Sequence, residues 1–447
     1  HCPMCRLGRE CRERLRSDDH LSFVAGARRT DRDALAAAGI RTLTALAHLD
    51  PGASVSGVPA ERLATLRGQA ALQHESRVTG HLTRRHLDPV PERGYFRLPP
   101  PSPGDVFFDL EGDPHLGERG IEYLWGWVSA DGGYHSCWAH DPQQEAVALA
   151  RFVEAVDARL ARHPELHVFH YGAHEASKLK SLAQRHGVAE ERIDTWLRAG
   201  VLVDLHAVVR QAMQVGEESY SLKRLERHYG FTRTEHSVRD GGGSIVAYET
   251  WRQTGDPEIL EAIRRYNADD CRSTAALYRW LDQEAAPEAA AEFGIDVRTP
   301  PVPDAEEPRE PAFMAELRPR LDRLHEDAET AERAGRDADA RERRLLAGLL
   351  LYPYRESKPQ YWHWFAMQEM TPEQLVEERD AIGLIELDRS VPPRPFARSL
   401  LWTYRFPEQE TRVEPGDARE AFTGTRYEVV EIDDGRLVVR RGRTAAA

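Results

Sequence analysis

The sequence predicts an α/β domain, a sheet flanked by helices, with an all-α module before it and a small β-barrel-like segment after it. Three observations carry this reading. Between residues 104 and 284, strand-like runs come first and amphipathic helices alternate with strands afterwards, the order of an α/β domain. Upstream, short helical units are separated by glycine turns, and downstream, proline breaks and a hairpin signal bound short strands.

Taken in order, Asp33 to Leu49 and Val55 to Leu72 read as short helices, each unit with a Gly and an aliphatic residue, Gly39-Ile40 and Gly57-Val58, at its turn. His86 to Gly104 is proline-rich and predicts a stiff linker. Asp105 to Gly112 alternates, Ile121 to Ser129 and Tyr134 to His140 are aromatic and β-branched, and Ala130-Asp-Gly-Gly marks a hairpin, so three antiparallel strands form a meander. Gln144 to Arg162 is a helix with Leu149, Phe152, Val153, Val156 and Leu160 on one face. A strand from His167, a helix from Glu175, a short strand from Val201 and helices through Leu281 complete the domain. A second linker runs from Ala285 to Pro311. It is followed by a charged helical stretch to Leu351, a compact aromatic segment from Tyr352, and strands ending in the hairpin at Asp433-Asp-Gly.

The 447 residues leave room for about three folding units. Apolar residues make up 41% and aromatics 8%, which with long periodic stretches excludes a disordered chain. The longest apolar run, Leu345 to Leu351, is far short of the ~18–20 residues that span a bilayer, so no membrane partner is expected. No signal-like N-terminus is seen and position 1 is His, so the expectation is an internal piece of a longer cytoplasmic protein. The net charge of −14 argues against wrapping nucleic acid over the whole surface. Residues 1–100, however, hold 16 Arg and no Lys against 11 acids, a local excess suited to forked contacts with phosphate. Only four Lys occur in the whole chain, so the Arg bias is also general.

Side chains two apart on a strand share a face, so Asp109 and Glu111 project together while Phe108 and Leu110 pack on the other side. Two such carboxylates repel unless a cation lies between them, and hard ions such as Mg²⁺ and Mn²⁺ want oxygen ligands. The alternative is a strand running out into an acidic turn. Tyr266 and Asp270 are four apart on a helix and stack on one side of it, an arrangement suited to a water nucleophile beside a metal. Glu175 follows a strand at the mouth where α/β sheets gather ligands. A core aromatic for Tyr266 and a helix N-terminal acid for Glu175 stay open on the residues alone.

The motif order Phe107-Phe-Asp109-Leu-Glu111-Gly, Tyr171-Gly-Ala-His-Glu175, Ser219-Tyr-Ser-Leu-Lys-Arg-Leu-Glu and Tyr266-Asn-x-x-Asp270-Cys resembles the ribonuclease H-like exonucleases, with the YprB-type branch the best fit. The resemblance implies a ribonuclease H-like mixed sheet and DEDD-type chemistry with two Mg²⁺ or Mn²⁺. Asp109, Glu111 and Asp270 would be metal ligands, Glu175 would stand where the second motif has Asp, and Tyr266 would orient the attacking water. The second motif departs from the pattern, since its usual Asn is His170 or Tyr171 here. Two metals about 3.5–4 Å apart would activate water and stabilise the leaving 3′ oxygen in phosphodiester hydrolysis. Ser221, Lys223 and Arg224 are candidates to touch the substrate backbone, and Asp204 is a further acid at a strand end.

Cys2, Cys5 and Cys11 have metal-ligand spacing, one ligand short of a structural zinc or a 4Fe–4S cluster. They resemble the C-terminal cysteine triplet of RecB-like nucleases, in which a fourth Cys lies upstream; a reduced cluster without metal is the other reading. The whole layout resembles bacterial RecB-like nucleases with helix-hairpin-helix repeats that continue into a superfamily 1 helicase. It implies seven parts: 1–18, the cysteine-rich end of the nuclease; 19–85, helix-hairpin-helix repeats; 86–103, linker; 104–284, exonuclease domain; 285–312, linker; 313–390, helical connector; and 391–447, the β-rich start of a helicase-type region. Hairpin turns at Gly39 and Gly57 would aim backbone N–H groups at phosphate, DNA ahead of RNA. A plain helical spacer is the other reading of those turns. No G-x-x-x-x-G-K-S/T loop occurs, which excludes unwinding by this chain alone. Two functions follow: a metal-dependent 3′–5′ exonuclease, or a catalytically weak nucleic-acid-binding scaffold within a larger nuclease-helicase.

Overall fold

The computed structural model describes residues 8–297 and 312–442, except 235, 236, 239, 371, 373, 377, 398, 422 and 434. The chain forms two compact units that divide after Pro308.

The first unit opens with helices α1 (Gly8–Ser17), α2 (Arg29–Ala37), α3 (Leu43–Ala47) and α4 (Ala60–Thr79). Leu35, Leu43, Leu46, Leu63 and Leu66 bury together, and a buried Arg62–Asp31 ion pair at 2.6 Å closes the cluster. Gly39 and Gly57 both stand at φ +84°, where a side chain would be strained, so each turn needs its glycine. Strand β1 (Arg84–His86) then leads to a 3₁₀ turn at Gly94–Arg97.

The α/β core consists of β2 (Val106–Asp113), β3 (Ile121–Ser129), β4 (Tyr134–Trp138), α5 (Pro142–Leu160), β5 (Val168–His170), α6 (His174–His186), α7 (Glu190–Arg198), β6 (Leu202–Asp204), α8 (Leu205–Ala212), β7 (Met213–Val215), α9 (Leu222–Tyr229), α10 (Gly241–Thr254) and α11 (Pro257–Trp280). A π turn at Leu281–Ala285 and α12 (Ala286–Phe293) follow. The five-stranded sheet has the order β4-β3-β2-β5-β6, antiparallel across β4, β3 and β2 and parallel across β2, β5 and β6. This is the expected meander followed by crossovers, a mixed α/β sheet. Apolar cores fill both faces: Phe108, Trp125, Leu149 and Phe152 on one, Phe107, Phe169, Cys271 and Tyr278 on the other.

Neither proline-rich run behaves as a free linker along its whole length. Within 86–103, Tyr95 and Leu98 are buried in the second of these cores, and β1 pairs antiparallel with β7. Within 285–312, Ala286, Ala289 and Val297 join the same core. Proline stiffens a backbone without deciding whether its neighbours are exposed, so composition alone does not show that these residues are buried.

The second unit pairs two long helices, α13 (Ala312–Arg333) and α14 (Asp337–Glu369), joined at Gly335 with φ +70°. The expected aromatic segment after Tyr352 is the continuation of α14, which runs on through Pro353 and Pro359. Strands β8 (Glu386–Leu387), β9 (Arg394–Phe396), β10 (Ser399–Arg405), β11 (Gly416–Arg419), β12 (Arg426–Asp433) and β13 (Arg436–Gly442) form an antiparallel sheet of order β11-β12-β13-β10-β8, with β9 on β10. The predicted hairpin lies between β12 and β13, and Gly435 has φ +71°. Among the described residues β11 and β8 do not pair, so the sheet is open where a barrel would close. Among the described residues no helix is long and apolar enough to cross a membrane.

Candidate metal centre

Alternation along β2 sends Phe107 into the core on the α11 side of the sheet and Val106, Phe108 and Leu110 into the opposite core. Asp109 and Glu111 share the face of Phe107, as the two-residue spacing requires. Helix α11 lies close over that face because β3 carries Gly126 opposite Asp109. A Cβ at Gly126 would overlap Asn267 Oδ1, and the Cys271 thiol donates to the Gly126 carbonyl at 3.4 Å. Asn267 Nδ2 in turn donates to Asp109 Oδ2 at 2.8 Å, and Tyr134 OH donates to Asn267 Oδ1 at 2.8 Å.

With α11 held this close, one carboxylate oxygen from each of Asp109, Glu111 and Asp270 falls within 4.8 Å of the others. Burial, followed by the charges of Asp270 and Glu111, raises the Asp109 carboxyl well above the usual carboxylate range; Arg233 and Lys223 pull it back. Burial and then Asp270 push Glu111 in the same direction, partly offset by hydrogen bonds from Ser244 and Asn267. Glu175, in the first turn of α6, is raised by burial and then by the charge of Asp109. Its Oε2 is buried, has no hydrogen-bond partner among the described residues, and lies 3.7 Å from His170 Nδ1. Acids that must stay protonated or find a cation, one with an orphaned oxygen, fit a hard divalent ion, which prefers carboxylate oxygens.

Two cations border the acids. Lys223 Nζ donates to Tyr266 OH at 3.1 Å and lies 4.6 Å from the centre of its ring. Arg233 Nη2 donates to Asp270 Oδ1 at 2.6 Å and to Glu226 Oε1 at 2.5 Å. Burial, followed by Asp270, Glu111 and Asp109, raises the Tyr266 phenol far above its ordinary range.

The remaining sequence candidates sit elsewhere. Ser221 is an exposed residue that caps α9 without a side-chain hydrogen bond to the helix, and Arg224 pairs with Glu218 at 3.7 Å. Asp204 accepts from the backbone of Gly172 and His206, each at 2.8 Å, so it caps α8 and fixes the turn that leads into α6. Gly39 and Gly57 lie in the N-terminal helical cluster, outside the hydrogen bonds of the acids. Cys2 and Cys5 lie outside the described residues, and Cys11 is exposed on α1. His363, Glu378 and Asp380 also converge in the second unit, where Arg412 stands 3.9 Å from Asp380 and ion pairing accounts for them.

Asn267, Gly126, Ser244, Glu226 and Arg233 join the site without being singled out by the sequence pattern. A glycine inside the bulky strand Ile121–Ser129 was a legible sign of close backbone approach. Nothing in the sequence marked Arg233, whose role comes from a loop brought over α11.

Residues 106–282, less than half of the chain, match the family described as the RNase_H superfamily. No curated protein matches the chain. Among solved structures, the family B DNA polymerase from the hyperthermophilic archaeon Pyrobaculum calidifontis aligns at 19% identity and a TM-score of 0.30. That alignment covers 51% of this chain and 35% of the polymerase.

Proposed function

We propose that the first unit is a metal-dependent nuclease that hydrolyses phosphodiester bonds, DNA ahead of RNA, from a 3′ end. The observation that carries this reading is the convergence of Asp109, Glu111 and Asp270 within 4.8 Å on the sheet face beneath α11, inside a segment that matches the RNase_H superfamily. Two divalent ions held by these acids would lower the pKa of a bound water and stabilise the leaving oxygen. The protein's own part is to hold the acids without a compensating solvent shell, with Asn267 fixing Asp109 and Glu175 offering the orphaned Oε2. Tyr266 would orient the attacking water through its hydroxyl, and Lys223 fixes that hydroxyl. A phenol is protonated at neutral pH even at its ordinary pKa of about 10, so it would act by hydrogen bonding rather than as a base.

In the same reading, the turns at Gly39 and Gly57 are helix-hairpin-helix phosphate contacts that deliver the strand, and the spacing of Cys2, Cys5 and Cys11 is that of a RecB-like metal-binding triplet. The paired positive-φ glycines support the first of these. The test is digestion of 3′- and 5′-labelled single-stranded DNA and RNA with Mg²⁺ or Mn²⁺, wild type against Asp109→Ala/Asp270→Ala. Metal-dependent loss of 3′ nucleotides, absent in the double variant, is expected. Binding without cleavage under every condition would sink the enzyme reading in favour of a nucleic-acid clamp.

A further inference from the structure

We propose that Arg233 is a catalytic residue whose guanidinium binds the scissile phosphate once metal has taken over Asp270; this rests on the nuclease reading above. Arg233 is held from behind by Glu226, which receives its Nε at 2.9 Å and its Nη2 at 2.5 Å. Glu226 is fixed in turn by Ser273 Oγ at 2.8 Å, and Tyr229 OH pairs with that serine at 2.9 Å. The guanidinium therefore keeps its place when the bond to Asp270 is given up. Its Nη1 is buried and has no hydrogen-bond partner among the described residues, an orphaned donor beside Asp270 and 5.9 Å from the centre of the Tyr266 ring by its Cζ.

Charge balance gives this donor its use. Asp109, Glu111, Glu175 and Asp270 carry four negative charges when ionised, and two divalent ions cancel them. Arg233 would then keep its bonds to Glu226, while Nη1 and the Nη2 hydrogen given up by Asp270 are left to donate. A phosphodiester brings one negative charge; as the attacking water gives up a proton to solvent and forms its bond to phosphorus, a second charge builds on the equatorial oxygens, and the P–O3′ bond breaks with the 3′ oxygen leaving with the electron pair and taking up a proton. A guanidinium presents paired donors to two such oxygens. Glu226 acts only through Arg233 and is a positioning residue. Helix α9 carries Lys223 and Glu226 three residues apart, so one helix supplies both cationic contacts, one directly and one through its acid.

The experiment compares wild type, Arg233→Gln and Arg233→Lys in three readouts: Mn²⁺ titration by calorimetry without nucleic acid, Mn²⁺-dependent affinity for thymidine 5′-monophosphate, and single-turnover cleavage of single-stranded DNA at saturating metal. Arg233→Gln is expected to bind Mn²⁺ at least as tightly as wild type, because Asp270 is released from its ion pair. It should bind the nucleotide about tenfold more weakly and cleave about 10²-fold more slowly, as when one transition-state donor is removed. Arg233→Lys should recover part of both. Unchanged nucleotide affinity and rate would overturn the proposal, leaving Arg233 a counter-ion of the metal-free state, and so would loss of Mn²⁺ binding, which would make it scaffolding. If wild type cleaves nothing, the nuclease reading fails by itself, and nucleotide affinity still decides whether Arg233 holds phosphate.

Discussion

Asn267 Nδ2 bonds Asp109 Oδ2 at 2.8 Å across the space left by a glycine, and this contact sets how closely helix and sheet approach at the centre. Gly126→Ala would drive a methyl group into Asn267 Oδ1, so either the asparagine rotates away or α11 lifts. We expect a loss of about 1–3 kcal/mol, the range for overpacking a core. A fall in Mn²⁺ affinity should accompany it. Calorimetry beside urea unfolding checks both, and a variant with wild-type stability and metal binding would refute the contact's role.

Asp109→Asn keeps the shape of the side chain and removes one of the repelling charges. In metal-free protein the variant should be more stable than wild type, because desolvation and the neighbouring carboxylates disfavour the ionised acid that it replaces. Activity should fall by at least about 10³-fold. Thermal unfolding in EDTA read beside the nuclease assay separates this from simple misfolding, which would lower both.

Stability should also depend on pH in a definite direction. Asp109, Glu111 and Glu175 all have folded pKa values above their unfolded ones, so the folded chain binds more protons. Their contribution is fully present below the ordinary carboxylate range and is lost as pH rises through the raised values. Asp105, raised to about 6 chiefly by burial, adds the same slope between about pH 4 and 6. Mn²⁺ held by the ionised acids would reverse the trend, contributing about 2.7 kcal/mol at 100 times its Kd. Melting curves from pH 5 to 8 should therefore show a Mn²⁺ effect that grows with pH; a constant effect would count against the site.

Tyr266→Phe removes the hydroxyl and leaves the ring packed against Ile263, Tyr123 and Tyr248. The expected result is a cleavage rate about 10²-fold lower at unchanged Mn²⁺ affinity, within the range for a positioned proton-handling group. Lys223→Met should give a smaller loss, since it deprives the phenol of its donor without removing it. Equal rates for wild type and Tyr266→Phe would remove the tyrosine from the mechanism.

Much of the core was legible because its signals are local. Period-two alternation put Asp109 and Glu111 on one face, and four-residue spacing stacked Tyr266 over Asp270. The parts that escaped depend on long-range contacts. Tyr95 and Leu98 look like residues of a proline-rich connector until α8 and α11 arrive to cover them, and nothing near Arg233 announces that it will reach Asp270. Gly126 lies between the two cases: its sequence context was visible, but its partner on α11 was not.

The pairing of β1 with β7 has a consequence for synthesis. Arg84 leaves the ribosome roughly 130 residues before its partner Val215, a wait of about 6–26 s at ordinary elongation rates of ~5–20 residues per second. For that interval a bare strand edge is open to the wrong partner. Two adjacent arginines on a three-residue strand are the kind of charged, short edge that discourages such pairing. Replacing both Arg84 and Arg85 with apolar residues should therefore show first as aggregation during expression.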